Sequence, residues 1–266
     1  MHTNIIHCGN HLDILNQYPD GCFDMCLTSP PYDNLRTYKG YDFHFEPLAH
    51  ELFRVLKDGG VCVWVVGSKH EDFNESLTPF KQAIFFVETA HFNLLDTMIY
   101  SRNTPTWNES MKAYKQYFEY CFIFSKGKPC SFTPLRDIPT RHKRQRTIMK
   151  RKQNGDKKNL MCTPNNYGAR GNVWWYDTGF MKSAKDKIAF EHPAIFPESL
   201  AEDLMKSWSN PGDVILDPMA GSGTVGKMAA KHQRKYVLID VAQEYCDIAK
   251  KRIAMFTQQA TIFDKL

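Results

Sequence analysis

The sequence predicts an α/β fold, a sheet covered by helices on its faces, and three observations carry that prediction. Strand-like and helix-like signals alternate through the first 127 residues. The alternation is lost over residues 128–190 and resumes at Pro197. Beyond it, the stretch VILDPMAGSGTVGKMAAK passes from a strand through a glycine turn into a helix.

In chain order, residues 4–8 (NIIHC) and 23–28 (FDMCLT) read as short strands, with a helical turn or two, HLDILNQY, between them. Residues 44–57 carry apolar side chains at helical spacing and run into Asp58-Gly59-Gly60, a stop signal. VCVWVV at 61–66 has the composition of a fully buried strand. A helix around 77–90, a strand near 93–101 and an aromatic strand at 117–124 follow. Residues 128–190, rich in basic residues, Asn and Gly and containing Trp174-Trp175-Tyr176, read as an insertion outside the sheet. The helix at 197–209 is opened by Pro197 and closed by Asn210-Pro211-Gly212. A strand at 213–217, a helix from about 223, a strand at 235–240 and the helix QEYCDIAKKRIA complete the pattern. Only one strand is predicted after the glycine turn, so the N-terminal strands are expected to complete its sheet, in a permuted order. The expected organisation is 1–127 and 191–266 as two halves of one domain, with 128–190 inserted.

Composition narrows the classes further. With 42 % apolar and 13 % aromatic residues the 266-residue chain is too hydrophobic to be disordered. No apolar run approaches the roughly 18 residues a membrane span needs. The start, MHTNIIHCGNHLDIL, lacks the pattern of a secretory signal, so an intracellular location is expected. The eight cysteines include no C-x-x-C pair and are expected to be reduced and mostly buried; no metal site is expected. The net charge of +5 is concentrated: between Arg136 and Lys158 lie ten Lys or Arg and two Asp. Such a run is either a solvated loop or a surface that displaces counterions from nucleic-acid phosphates.

Three ligand classes suit the glycine turn. Gly221-x-Gly223-x-x-Gly226 with Asp240 at the end of the next strand fits a dinucleotide site. Gly221 to Lys227 nearly spells a phosphate-binding loop, but Met228 stands where a magnesium-binding hydroxyl is needed. S-adenosylmethionine also fits, with Asp240 on the ribose hydroxyls and Asp217 adding a carboxylate near a cationic sulfonium.

Thr28-Ser29-Pro30-Pro31-Tyr32 early and Asp217-Pro218-Met219-Ala220-Gly221-Ser222-Gly223-Thr224 late resemble the β class of DNA amino-methyltransferases. The likeness takes in Gly9-Asn10-His11-Leu12, Phe118-Glu119-Tyr120, His192-Pro193-Ala194 and Ala249-Lys250-Lys251-Arg252, and so covers most of the chain. It implies a Rossmann-like, S-adenosylmethionine-dependent methyltransferase sheet with permuted motifs and an inserted target-recognition region. The cofactor would meet Asn10, Thr28, Asp217, Pro218, Met219, Gly221, Ser222, Gly223, Thr224, Asp240 and His192. The family usually has Asp where Asn10 stands and Phe where Met219 stands; Asn10 can still hydrogen-bond, and Met219 keeps an apolar surface. DNA would be met by Arg141, Lys143, Arg144, Arg146, Lys150, Arg151 and Lys152. The partners the resemblance allows are double-stranded DNA, a cognate restriction endonuclease and a second copy of the chain. The setting it implies is the cytoplasm of a prokaryote or a phage-infected cell.

An exocyclic base amine is a poor nucleophile because its lone pair is delocalised into the ring. The Ser29 hydroxyl and the Pro30 carbonyl can accept its hydrogens, and prolines at 30 and 31 fix that backbone. Tyr32 can stack on a base swung out of the duplex. Within the family, Ser at the position of Ser29 resembles enzymes acting on cytosine N4, and Asp or Asn there those acting on adenine N6. A dinucleotide-dependent oxidoreductase and a non-catalytic nucleic-acid-binding protein are the alternatives from other classes. Pro129-Cys130 matches the nucleophile dipeptide of cytosine carbon-5 enzymes but sits away from the expected place, and Trp107 and Trp174-Trp175-Tyr176 suit packing or DNA contact alike.

Overall fold

The computed structural model describes residues 1–31, 43–106, 112–140, 146–151, 155–162 and 165–263. The elements follow one another as β1 (Ile5–Cys8), α1 (His11–Leu15), β2 (Phe23–Thr28), α2 (Phe45–Val55), β3 (Leu56–Val66), β4 (His70–Glu71), β5 (Asn74–Glu75), α3 (Thr78–Glu88), β6 (Asn93–Thr106) and β7 (Gln116–Ser125). Then come β8 (Arg136–Pro139), β9 (Arg146–Arg151), β10 (Lys157–Cys162), β11 (Tyr167–Ala169), β12 (Val173–Tyr176), α4 (Glu198–Trp208), β13 (Val214–Asp217), α5 (Thr224–Lys231), β14 (Lys235–Asp240) and α6 (Gln243–Phe263).

Among the described residues, eight strands form one sheet in the order β1-β14-β13-β2-β3-β7-β6-β12. Every neighbouring pair is parallel except those made by β7. The strands after the glycine turn therefore join the N-terminal ones: β13 lies between β14 and β2, and β1 borders β14. The two chain halves share one sheet, and seven strands end at one edge of it.

Apolar residues cover both faces of these strands, the composition that a sheet buried on two sides requires. On one face Cys62, Trp64 and Val66 of β3, Phe122 and Phe124 of β7 and Leu216 of β13 pack against Leu48, Leu52 and Val55 of α2 and Phe86 of α3. Phe86 stacks on Phe124 at 4.6 Å and meets Trp64 edge-on at 5.1 Å. The intervening residues point the other way, where α5 comes so close to β14 that a Cβ on Gly226 would lie 2.5 Å from Leu238 Cδ1.

Two elements depart from the sequence reading. The chain passes from α2, which ends at Val55, straight into β3, so Asp58-Gly59-Gly60 falls inside the strand and is not the stop of the helix. Gly59 adopts φ +79°, and a side chain there would overlap Cys130 Sγ and the Lys128 carbonyl, so the glycine makes room for the segment crossing at 128–130. Trp174-Trp175-Tyr176 belongs to the sheet, as β12 paired in parallel with β6. Trp174 is buried and Trp175 is 70 % exposed, the alternation of an edge strand, so the composition of this cluster reflects sheet packing and not an insertion.

The chain divides into two compact units, residues 1–133 with 172–266, and Pro134–Gly171, narrower than the 128–190 expected. The smaller unit holds two antiparallel pairs, β8 with β11 and β9 with β10, and an ion pair between Arg170 and Asp137. Seven cysteines are free among the described residues; Cys26, Cys62, Cys121 and Cys246 are buried, while Cys8 and Cys130 are exposed. No helix among the described residues is long and apolar enough to cross a membrane.

Phe86→Ala empties the centre of the aromatic cluster and is expected to lower unfolding free energy by about 3–5 kcal/mol, read from the denaturant midpoint.

Candidate active site

A cleft of about 560 Å³ opens at the edge where the strands end. Ser29, Pro30 and Pro31, which follow β2, form part of its wall, and Pro218, Met219, Gly221 and Ser222, which follow β13, form another. Asp217, Thr224, Asp240 and His192 also line it. These are eleven of the residues singled out from the sequence. Asn10, Thr28 and Gly223 are not among its walls, and Tyr32 lies outside the described residues.

Thr28 stands behind the wall. Its hydroxyl donates to Asp217 Oδ1 at 2.8 Å, a buried bond between residues 189 apart in sequence. Adjacent strands β2 and β13 thus finish at the same level, and their two loops open side by side. The Met219 N–H donates to the same Asp217 oxygen at 3.1 Å. Burial pushes the Asp217 carboxyl up to about 7; the Thr28 and Met219 hydrogen bonds pull against that, and the charge of Asp240 adds to it.

Asp240 ends β14 and accepts from the Gly221 N–H at 2.8 Å and the Ala242 N–H at 3.0 Å. Burial raises its pKa as well, against these hydrogen bonds. The carboxylate therefore clamps the glycine turn to the start of α6 while still facing the cleft. Gly221 and Gly223 take left-handed φ values of +49° and +78°. A side chain on Gly221 would meet the His192 ring at 2.9 Å, and one on Gly223 would meet Ala249 at 2.5 Å. The turn is squeezed between a histidine and α6, which leaves room only for glycine. His192 is itself fixed, Nδ1 lying 2.6 Å from the Ala194 carbonyl oxygen and the ring edge-on to Tyr245 at 4.2 Å.

Asn10 caps α1, its Oδ1 accepting from the Leu12 N–H at 2.8 Å. Its neighbour His11, named from the sequence only as part of the Gly9-Asn10-His11-Leu12 match, lines the cleft with Nε2 buried and without a hydrogen-bond partner among the described residues. Burial holds its pKa down to about 4, so the ring is neutral. Toward the far end of the cleft Arg102 pairs with Glu119 at 3.2 Å. Cys130 does not line the cleft; its thiol points to the Asp58 carbonyl at 3.5 Å, a packing role. Of the basic residues singled out, Arg146, Lys150 and Arg151 lie on β9, while Arg141, Lys143, Arg144 and Lys152 lie outside the described residues, as does Trp107.

Residues 23–251 match the family model for DNA methylases of the N6 and N4 type. The chain belongs to this family. It is 48 % identical over 242 residues to the orphan methyltransferase M.BamHII of Bacillus amyloliquefaciens, a match covering 88 % of this chain and 89 % of that one. It is 27 % identical to the type II methyltransferase M.BglII of Bacillus subtilis, over 93 % of this chain and 68 % of the relative. The fold matches the solved PvuII DNA methyltransferase (cytosine-N4-specific) with TM-score 0.70 at 17 % identity, over 97 % of this chain and 91 % of that one. It also matches TTHA0409 of Thermus thermophilus, named "Putative DNA Modification Methylase" and solved with S-adenosyl-L-methionine, with TM-score 0.61 at 23 % identity, over 94 % and 95 % of the two chains.

The protein is a DNA methyltransferase that uses S-adenosylmethionine. The cleft suits that cofactor on its own chemistry. Two carboxylates, Asp217 buried and Asp240 half-buried, both with a pKa raised by desolvation, face a space where a cationic ligand would relieve their repulsion, and the glycine turn admits a ligand close to the backbone. The sequence reading missed what supports this wall: Arg252, Lys227, Asp186 and Glu198, whose charges cancel underneath it. Their wide separation hides them, although charged residues at positions where a helix should be apolar are a signal that could have found them.

The folded protein keeps the Asp217 proton to higher pH than the unfolded chain does, so this group's contribution falls as pH rises from about 4 to 7 and is level above. Stability of the wild type relative to Asp217→Asn should therefore drop by about 2–3 kcal/mol between pH 5 and 8, measured by urea unfolding of both proteins at each pH.

Proposed function

We propose that this methyltransferase acts on the exocyclic N4 amine of cytosine in double-stranded DNA. The observation that carries the reading is a serine, Ser29, and not a carboxylate or carboxamide, in the cleft wall ahead of Pro30. S-adenosylmethionine, when bound, supplies an electrophilic methyl group. The residues proposed to hold it are Asp240 at the ribose, Asp217 and His192 toward the charged end, and Pro218, Met219, Gly221, Ser222 and Thr224 along the turn. Gly223 and Thr28 shape that wall from behind, and Asn10 orients the start of α1.

The Ser29 hydroxyl accepts one hydrogen of the amine and the Pro30 carbonyl the other. Amine geometry then shifts toward tetrahedral, and the lone pair turns from the ring to the cleft. Pro30 and Pro31 hold the acceptors in place, and Tyr32 stacks on the extruded base. Transfer rests on positioning and on these fixed dipoles.

The unit Pro134–Gly171 is proposed to contact DNA, within the inserted region 128–190. Its β9–β10 register sets Lys150 opposite Lys158 and Arg151 opposite Lys157. Like charges placed directly across a hairpin destabilise it; phosphates lying along it would reverse the sign of that cost. A cognate endonuclease and self-association are further proposals that the membership of this family allows.

Ser29→Ala and Pro30→Ala should each reduce methyl transfer at least about 100-fold while calorimetric affinity for S-adenosylhomocysteine stays within about threefold. Nucleoside analysis of plasmid DNA treated with the wild type should show N4-methylcytosine. N6-methyladenine in its place overturns the choice of base, and full activity of both variants overturns the mechanism.

A further inference from the structure

We propose that Arg252 is a positioning residue for the cofactor, the centre of a buried latch that locks the glycine turn to the segment carrying His192. This rests on the cleft being the S-adenosylmethionine site. Arg252 lies on α6 one turn beyond Ala249, the residue packed against Gly223, and its side chain is fully buried. Its Nη1 donates to the Ser222 carbonyl at 2.7 Å, to Ser222 Oγ at 3.0 Å and to Thr224 Oγ1 at 3.1 Å, so one guanidinium nitrogen holds both ends of the turn's last step.

The rest of the guanidinium reaches the other wall. Nε donates to Asp186 Oδ1 at 2.8 Å and Nη2 to Glu198 Oε1 at 2.8 Å. Lys227 of α5 joins the same two carboxylates at 2.6 Å each, so two cations meet two anions with 10 % or less of either cation exposed. Asp186 passes the constraint on: its Oδ1 accepts from the Ala189 N–H at 3.1 Å, capping the short 3-10 helix Lys187–Glu191, and the His192 N–H bonds to the Ala189 carbonyl at 3.2 Å. Glu198 does the same on its side, with its N–H on the Ser183 carbonyl at 2.8 Å, and Ser183 lines the cleft.

A buried ion cluster of this kind is a poor source of stability, since desolvation offsets most of the attraction. What it supplies is geometry. The planar fork fixes distances between three chain segments that a point charge could not span at once. The latch touches Ser222 and Thr224 on the cleft side and reaches His192 through one capped turn, so its loss opens the cleft wall where the amino-acid end of the cofactor is held.

Arg252→Lys tests this because it keeps the charge, and with it a partner for Asp186 and Glu198, but gives up the fork. S-adenosylhomocysteine binding to the wild type is measured first by calorimetry; no binding there sinks the cofactor reading itself. The Lys variant should bind at least tenfold more weakly, with KM for S-adenosylmethionine raised by a similar factor, kcat at saturating cofactor within threefold, and a melting temperature close to that of the wild type. Phe86→Ala serves as the control for destabilisation alone and should bind S-adenosylhomocysteine like the wild type. Should Arg252→Lys not fold, Asp186→Asn decides by the same readouts. A folded variant with affinity within twofold of the wild type, or an equal loss in Phe86→Ala, overturns the proposal.

Discussion

The hydrogen bond from Thr28 to Asp217 ties together the ends of two neighbouring strands that the chain visits at opposite ends of its length. It is buried, it is made to a carboxyl whose ionisation burial opposes, and it sets the level at which the strands give way to their loops. One loop carries Ser29, Pro30 and Pro31, the other the glycine turn. Their distance is thus set from inside the sheet. Parallel strands put both loops on one edge, and the bond keeps them in step along it. The permuted order costs nothing in geometry, because pairing of β13 with β2 closes the sheet whichever half comes first.

Around that bond the molecule concentrates charge in two contrasting ways. In the cleft wall Asp217 and Asp240 both resist ionisation, a bias that a cationic ligand would relieve. Under the same wall Arg252, Lys227, Asp186 and Glu198 balance within the protein, and their strength goes into holding backbone. On the small unit the register sets cations of β9 and β10 opposite one another.

Much of this was legible in the sequence because it is local. The strand–glycine–helix stretch, the S-P-P-Y loop and the carboxylate closing β14 each declare themselves within a few residues, and ten of the residues they suggested do line the cleft. Hidden features depend on long-range approach. Asp58-Gly59-Gly60 looks like a helix stop until the crossing of Cys130 over Gly59 is seen, and Trp174-Trp175 looks like part of an insertion until β6 is found beside it. Thr28 reads as a cofactor contact, whereas its hydroxyl is turned to Asp217. Arg252 sits in a run of basic helix residues, and only packing distinguishes it from its solvated neighbours Lys250 and Lys251.

The crystal structure of the protein grown with S-adenosylhomocysteine tests the central claim most directly. The ribose hydroxyls are expected on Asp240, the amino-acid end beside Asp217 and His192, and the sulfur facing the Ser29–Pro30 wall, with the Thr28–Asp217 bond intact. A ligand seated with its sulfur turned away from Ser29, or a Thr28 hydroxyl released from Asp217 to bind it, would contradict the account.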